Sequence, residues 1–226
     1  MSLIVGRFIF DAALVAAMLF AGAGTLHWPR AWALLALKLC VRGLGAVMVY
    51  RVHPELLRQR ARLPGHVSQE SGDRFHLLAV LATGFLGVPL IAALDVWRWQ
   101  FFSPPHVAIS GFGVVMFGAG WALKSVALRA NAYAVAEVRP QRDRGHALAD
   151  LGIYNVIRHP FYAADFLILV GQGLWLASYV AALASVVPIA LMVYRLQSEE
   201  QFLRRELPGY GAYARRVPHR LIPGVW

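Results

Sequence analysis

Side chains of opposite charge flank the last two apolar stretches of this sequence. Arg158-His159-Pro160 opens one of these stretches, and Glu199-Glu200 follows the other. Proline suits the first turn of a helix, so Arg158 and His159 are expected at a helix N-terminus, where free N–H groups and the helix dipole favour anions. The adjacent carboxylates favour cations. Together they predict a site for a zwitterionic or sulfonium ligand.

Each cluster also has an ordinary structural interpretation. Arg158 would suit a membrane interface, and His159 would suit a helix cap. Glu199 lies four residues after Arg195, a spacing at which an exposed ion pair contributes a few tenths of a kcal/mol. The presence of anion-binding and cation-binding groups at the same end of two neighbouring helices favours the ligand site.

The elements that must position these residues are apolar helices. Of the 226 residues, 58% are hydrophobic and 15% are charged, against roughly 45–50% and 25% in soluble domains. This composition excludes a soluble globular fold and a disordered chain. Six stretches approach or exceed the ~20 apolar residues of a membrane-spanning helix: 3–23, 29–50, 75–94, 106–130, 160–176 and 179–196. We predict an all-α, polytopic integral membrane bundle of about six transmembrane helices.

The basic residues indicate an orientation for this bundle. Seventeen of the 22 Lys and Arg residues fall on the side of the N-terminus, and only Arg30 and Arg98 fall on the other side. Short cytoplasmic loops carry such an excess, so both termini are expected in the cytoplasm. The net charge of +10 is then a topology signal that also attracts anionic membrane lipids, and nucleic-acid binding is not expected.

Long segments on the cytoplasmic side are expected to form a small cap over the helix ends. The loops 51–74 and 131–159 exceed the usual two to eight residues between bundled helices, and the tail 197–226 lies on the same side. We divide the single membrane domain into N-terminal transmembrane helices, residues 1–130, and a cofactor-binding loop with the last two helices and the tail, residues 131–226. The single cysteine, Cys40, allows no intramolecular disulfide and no Cys-based zinc site.

The C-terminal part resembles the integral membrane methyltransferases that include isoprenylcysteine carboxyl methyltransferase and phospholipid methyltransferases. The resemblance covers residues 131–226 and depends on a set of short motifs in a fixed order: Val138-Arg139-Pro140-Gln141, Asp143-Arg144-Gly145-His146, Gly152-Ile153-Tyr154, Arg158-His159-Pro160-Phe161-Tyr162, Glu199-Glu200, Leu207-Pro208-Gly209-Tyr210-Gly211-Ala212-Tyr213 and Arg220-Leu221-Ile222-Pro223-Gly224. Each motif is weak alone, whereas the ordered set is specific.

The resemblance implies S-adenosylmethionine as the cofactor, bound at the cytosolic end of the last helices. It implies cofactor contacts from a loop and from the two helices that follow: Gln141, His146, Leu148, Gly152 and Tyr154, then His159 and Tyr162, then Glu199 and Glu200. The residue chemistry adds roles to these positions. Arg158 or His159 suits the methionine carboxylate, Glu199 or Glu200 suits the ammonium or the ribose hydroxyls, and Tyr154 or Tyr162 suits the adenine or the sulfonium.

A sulfonium needs alignment with its acceptor more than activation. We assign Arg195 and Glu199 to the catalytic centre, where Arg195 would orient the acceptor, although interfacial anchoring is an equal alternative for Arg195. Asn131 and Asp165 are assigned to the acceptor site. Asp165 departs from the small residue usual in the family, and pairing with Lys124 or Arg42 is its structural alternative. Asp11 is a possible partner for two further basic residues inside the spans, Lys38 and Arg42.

The predicted activity is methyl transfer to a lipid-like or small amphiphilic acceptor. Carboxyl O-methylation of the isoprenylcysteine type is the first candidate, and phospholipid N-methylation and thiol S-methylation are close alternatives. A transporter, a non-catalytic membrane scaffold and a nicotinamide-dependent sterol reductase relative remain as interpretations from other classes. The acceptor and the oligomeric state are not predicted.

Overall fold

The computed structural model describes residues 2–61, 71–134 and 148–226, and every regular element in these ranges is a helix. In chain order the α-helices are α1 (Ser2–Ala23), α2 (Pro29–Tyr50), α3 (Pro54–Ala61), α4 (Ser71–Val80), α5 (Val88–Leu94), α6 (Val107–Ala130), α7 (Pro160–Trp175), α8 (Tyr179–Ala184), α9 (Val186–Glu206) and α10 (Tyr210–Arg216). Two π-helical stretches, Leu81–Gly87 and Asp95–Trp99, flank α5, and a 3-10 turn covers Gly152–Asn155. The predicted all-α membrane bundle is confirmed.

Five helical segments in the described ranges are long and apolar enough to cross a membrane: Ser2–Ala23, Pro29–Tyr50, Phe75–Trp99, Val107–Ala130 and Tyr179–Glu206. The remaining predicted span, 160–176, forms α7. This helix has 16 residues and a length of about 24 Å at 1.5 Å per residue, below the ~30 Å of a bilayer core. The described part of the chain therefore contains five helices of full spanning length and one shorter apolar helix, α7.

Local sequence signals fix several helix ends. Pro29 and Pro160 stand in the first turns of α2 and α7, where a missing N–H costs nothing. Gly24 follows α1 with φ +72°, a conformation that glycine adopts readily after a helix. Ser178 begins α8 by accepting a hydrogen bond from the Ala181 N–H at 2.9 Å. The α7–α8 connection is a short turn, with Ala177 in a left-handed conformation at φ +67°.

The chain order places one set of segments at one end of the bundle, which we call the site end. This end contains the start of α1, α3, residues 148–159 and the tail 207–226. Buried apolar side chains attach α3 to α1 and α2 there, and a second cluster packs the tail into a compact unit. At the opposite end, Arg30 donates to Ser110 Oγ at 2.9 Å and to the Trp175 carbonyl at 3.1 Å.

Helices α6 and α7 pack backbone against backbone through glycines. A Cβ atom on Gly120 would lie 2.7 Å from both the Ala164 carbonyl oxygen and Ile168 Cγ1, and one on Gly171 would lie 2.6 Å from the Gly113 carbonyl oxygen. Small residues allow such an approach between membrane helices. The contact fixes α7, and with it the residues at the start of α7, against the rest of the bundle.

Candidate active site

A cavity of about 360 Å³ extends from the site end into the bundle. Nine of the residues predicted for the site line its wall: Asn131, Leu148, Tyr154, Arg158, His159, Tyr162, Asp165, Arg195 and Glu199. The volume lies within the range of cofactor and small-molecule sites. Residues that are distant in sequence are thus brought together around one space. Gln141 and His146 lie outside the described residues.

Glu200 is not part of the cavity wall but lies buried behind it. Its Oε1 accepts a hydrogen bond from Arg158 Nε at 2.7 Å and lies 3.1 Å from His159 Nε2. Its Oε2 accepts a hydrogen bond from Arg220 Nε at 3.0 Å. The proximity of His159 to the acidic pair is therefore as the sequence predicts. Glu200 itself is occupied by these side chains, which indicates a positioning role.

The C-terminal tail completes this arrangement with backbone groups. The Arg158 and His159 N–H groups donate to the carbonyls of His219 and Arg220 at 3.0 and 2.9 Å. Arg158 Nη1 donates to the Val217 carbonyl at 2.6 Å. Because Arg158 is 7% exposed and already bonded in this way, it fixes the tail to α9. Its predicted contact with a cofactor carboxylate stays a prediction.

Glu199 has a different environment from its neighbour, because consecutive helical residues are about 100° apart around the helix axis. It is half-buried and lines the cavity. The Tyr162 hydroxyl donates to Glu199 Oε2 at 2.6 Å and lies 3.4 Å from Arg195 Nη1. The three side chains form a connected polar group on the cavity wall, with a carboxylate and a guanidinium on either side of one phenol.

Asp165 forms an ion pair with Lys124, with a Lys124 Nζ to Asp165 Oδ1 distance of 2.5 Å. The predicted pairing with Lys124 is confirmed, and both residues also line the cavity. The other predicted pairing inside the spans is confirmed in part. Arg42 Nη2 lies 2.9 Å from Asp11 Oδ2, whereas Lys38 has no ion-pair or hydrogen-bond partner among the described residues.

Tyr154 and Asn131 form the part of the wall next to α6. Tyr154 is buried, and Asn131 Nδ2 lies 3.4 Å from its hydroxyl oxygen. Burial raises the pKa of the Tyr154 hydroxyl well above its usual range, so it remains a hydrogen-bond donor at neutral pH. Gly152 lies outside the wall and begins the 3-10 turn with φ +61°, a conformation that glycine adopts without strain. This turn directs Tyr154 inward.

Arg60 is a cavity residue that the sequence analysis did not identify. Its Nη1 donates to the Ala134 carbonyl at 2.5 Å, and its guanidinium lies 5.3 Å from the centre of the Phe161 ring. Burial lowers the pKa of this guanidinium, and an anionic ligand would oppose that shift. Its position follows from helix periodicity, since the buried Leu56 and Leu57 lie four and three residues before it. The basic loop composition alone does not distinguish it from its neighbours.

Comparisons with known proteins agree with this geometry. The phospholipid methyltransferase family model matches residues 108–208, which run from α6 to the end of α9. The chain is 30% identical over 135 residues to protein-S-isoprenylcysteine O-methyltransferase B of Arabidopsis thaliana, a match that covers 57% of this chain and 68% of the relative. It is also 36% identical over 72 residues to the nickel-cobalt-cadmium resistance protein NccN of Alcaligenes xylosoxydans xylosoxydans, over 31% of this chain and 34% of that protein.

The extent and position of these matches agree with the resemblance found in the motifs. The match to the plant enzyme exceeds two thirds of its length, and the family model includes Tyr162, Glu199 and Glu200. The chain therefore belongs to the family of integral membrane methyltransferases that includes isoprenylcysteine carboxyl methyltransferase and phospholipid methyltransferases.

Proposed function

We propose that this protein uses S-adenosylmethionine to methylate a lipid-like or small amphiphilic acceptor. The observation that carries the proposal is one cavity in which nine predicted site residues meet, with charged groups at the site end and a largely apolar interior. A methyltransferase with these substrates needs such a space, because its cofactor is polar and its acceptor is largely apolar.

The cavity residues fit a zwitterionic cofactor. Glu199 presents a half-buried carboxylate, held by the Tyr162 hydroxyl at 2.6 Å, that suits an ammonium group or ribose hydroxyls. Arg60 presents a guanidinium that suits a carboxylate, since its own protein contacts are a carbonyl and an aromatic ring. Tyr154 and Phe161 supply aromatic surface next to it. Arg158 and Glu200, which bind each other, would keep the cavity wall in place.

The cofactor would supply an electrophilic methyl group, so the protein needs no nucleophilic side chain of its own. Its residues have to bind, orient and exclude water, since alignment of two bound reactants accounts for much of such catalysis. We assign Arg195 to orientation of the acceptor and Glu199 to the polar end of the cofactor site. Both contact the Tyr162 hydroxyl, which keeps them at a fixed separation.

The apolar interior would hold the body of the acceptor. Its wall contains Val15, Phe85, Phe117, Ile168, Leu169 and Met192. Asn131 and Asp165 remain our candidates for contact with the acceptor, and the Lys124–Asp165 pair adds a polar site with little net charge. Carboxyl, amine and thiol acceptors are all compatible with this lining, and O-methylation of protein-S-isoprenylcysteine is the activity named for the plant relative.

A binding titration tests the cofactor proposal. Full-length protein in detergent should bind S-adenosylmethionine with micromolar affinity, and Glu199→Gln should weaken binding at least about ten-fold, since a hydrogen bond to a charged group contributes about 1.5–3 kcal/mol. The matched control is Glu55→Gln on α3, whose carboxylate is exposed and pairs with Arg58. It should bind the cofactor like the wild type.

Binding of a nicotinamide cofactor in place of S-adenosylmethionine would contradict the proposal and favour a reductase. Binding of neither would favour a transporter or scaffold. A methyl-transfer screen with radiolabelled cofactor against prenylcysteine, aminolipid and thiol acceptors then identifies the acceptor class.

A further inference from the structure

The cavity continues far into the membrane part of the bundle. Along α7, one helical stripe of residues lines it at positions 162, 165, 168, 169 and 172. The ten residue steps from Tyr162 to Gln172 correspond to a depth of about 15 Å at 1.5 Å per residue. The cavity therefore has a deep part, well separated from the charged residues at the site end.

Lys38 contributes an amino group to this deep part. It lies near the middle of α2, twelve residues before the helix ends at Tyr50, or about 18 Å from the site end of that helix. It is 5% exposed and lines the cavity. Its Nζ lies 4.4 Å from the centre of the Phe85 ring, which is its one direct polar contact within the described residues.

The carboxylates nearest to Lys38 are already engaged by other basic residues. Asp11 is bonded to Arg7 at 2.8 Å and to Arg42 at 2.9 Å, and Asp165 is paired with Lys124. Lys38 is therefore a basic residue of the cavity wall without a carboxylate of its own. A charged side chain at membrane depth is costly, and such residues usually face a cavity and serve a ligand.

Two neighbouring features support a ligand site at this depth. The Gln172 side chain is 7% exposed and lines the cavity, and its amide makes no hydrogen bond to any described residue. Phe85, which contacts Lys38, lies in the π-helical stretch Leu81–Gly87. Leu81 and Gly84 of that stretch also line the cavity. Short π-helical segments are rare and often occur at functional sites.

We infer that Lys38 forms a deep anion-binding subsite in which the methyl acceptor places a second, anionic group remote from the atom that is methylated. The inference rests on the proposed function and narrows its substrate class. The acceptor would be an amphiphile with an apolar body and a carboxylate-like or phosphate-like group at its far end. Lys38 would pair with that group, and the Gln172 amide would donate a hydrogen bond within the same deep part.

A plain hydrocarbon tail does not suit this end of the cavity. Such a tail would fill the space against Lys38 and Gln172 without offering a hydrogen-bond acceptor to their N–H groups. Buried polar groups without partners are unfavourable. The deep subsite therefore distinguishes acceptors with an anionic distal group from those with a purely isoprenoid or alkyl tail.

The test uses full-length protein in lipid nanodiscs and two probes of equal chain length, dodecanoate and dodecan-1-ol. Affinity is measured from the rise in unfolding temperature, followed by tryptophan fluorescence, with empty nanodiscs as the reference for partitioning. The wild type should bind dodecanoate at least ten-fold more tightly than dodecan-1-ol. Lys38→Met should reduce this preference to less than two-fold. Arg51→Met, which removes a positive charge from an exposed position, should retain it.

A preference for dodecanoate that persists in Lys38→Met, equal affinity for both probes, or no binding of either would overturn the inference. If Lys38→Met does not fold, Lys38→Gln provides the same measurement. A parallel titration with S-adenosylmethionine separates this result from the proposed function. Wild-type protein that binds the cofactor without preferring the anion disproves the subsite alone, whereas anion preference without cofactor binding disproves the methyltransferase proposal alone.

Discussion

The adjacent carboxylates Glu199 and Glu200 point in directions about 100° apart around α9 and have two different environments. Glu199 faces the cavity and accepts the Tyr162 hydroxyl. Glu200 faces the protein interior and holds Arg158, His159 and Arg220. A residue pair that looks equivalent in the sequence is thus divided between the cavity surface and the support behind it.

This division predicts different consequences of neutralising each carboxylate. Glu200→Gln should lower the free energy of unfolding by about 3 kcal/mol or more, because removing one partner of a buried ion pair leaves uncompensated charge on Arg158. Glu199→Gln should change stability much less, since its side chain is half-buried and faces the cavity. Thermal unfolding in detergent measures both. Equal stability of Glu200→Gln and the wild type would contradict the positioning role.

At the level of single residues, the sequence predicts which side chains lie close together. It predicts less well which partner each side chain binds. The motif order and the charges of Arg158, His159 and Glu200 were sufficient to predict their proximity. They were not sufficient to show that Arg158 and Glu200 pair with each other, because that depends on the return of the tail, whose carbonyls and Arg220 complete the network. Lys38 was recognised as a basic residue inside a span, but its cavity contact depends on the packing of α2 against α6.

At the level of elements, the glycine contact between α6 and α7 positions the whole site. The α7 helix begins at Pro160, next to His159, and one face of it lies directly on α6, near Gly113 and Gly120 of α6 and Gly171 of α7. An increase in the separation of these helices would displace Tyr162 and Asp165 from the cavity wall. The geometry of the site therefore depends on positions that are not part of the cavity wall.

Substitution of one of these glycines should be severe. Gly120→Ala would place a methyl group 2.7 Å from the Ala164 carbonyl oxygen, and overpacking of this kind typically costs 1–3 kcal/mol or more. Unfolding temperature and cofactor binding should both fall. The control is Gly118→Ala in the same helix, where a Cβ atom meets nothing within 4 Å and where alanine also favours the helix. Similar losses in both variants would show that the close contact at Gly120 is not responsible.

The elements were predictable to the extent that hydropathy determines them. Apolar runs predict the spans, and Pro160 predicts the start of α7. One feature escapes this reasoning. The third span continues to Trp99 through π-helical turns, which have no hydropathy signal. The last span continues as a helix to Glu206, beyond the end of its apolar run.

At the level of the whole molecule, charge is distributed unequally between the two ends. In the sequence, 17 of the 22 Lys and Arg residues fall in segments assigned to the side of the N-terminus. At the opposite end, Arg98 Nε donates to the Gly22 carbonyl at 3.0 Å, and Arg30 is bonded to Ser110 and Trp175. Arg30 and Arg98 therefore stabilise helix ends, while the basic residues on the side of the N-terminus carry the orientation signal.

This asymmetry predicts that the cofactor enters the cavity from the cytosol. In a Cys40→Ala background, Val225→Cys places a thiol in the tail and Ser103→Cys places one between α5 and α6, both at exposed positions. A membrane-impermeant maleimide should label Ser103→Cys in right-side-out vesicles and Val225→Cys only in inside-out vesicles, since loops rich in arginine stay on the cytoplasmic side. The reverse labelling would place the cavity mouth outside the cell, where S-adenosylmethionine is not made. The methyl-transfer proposal would then lack a source of cofactor, even if the isolated protein binds S-adenosylmethionine.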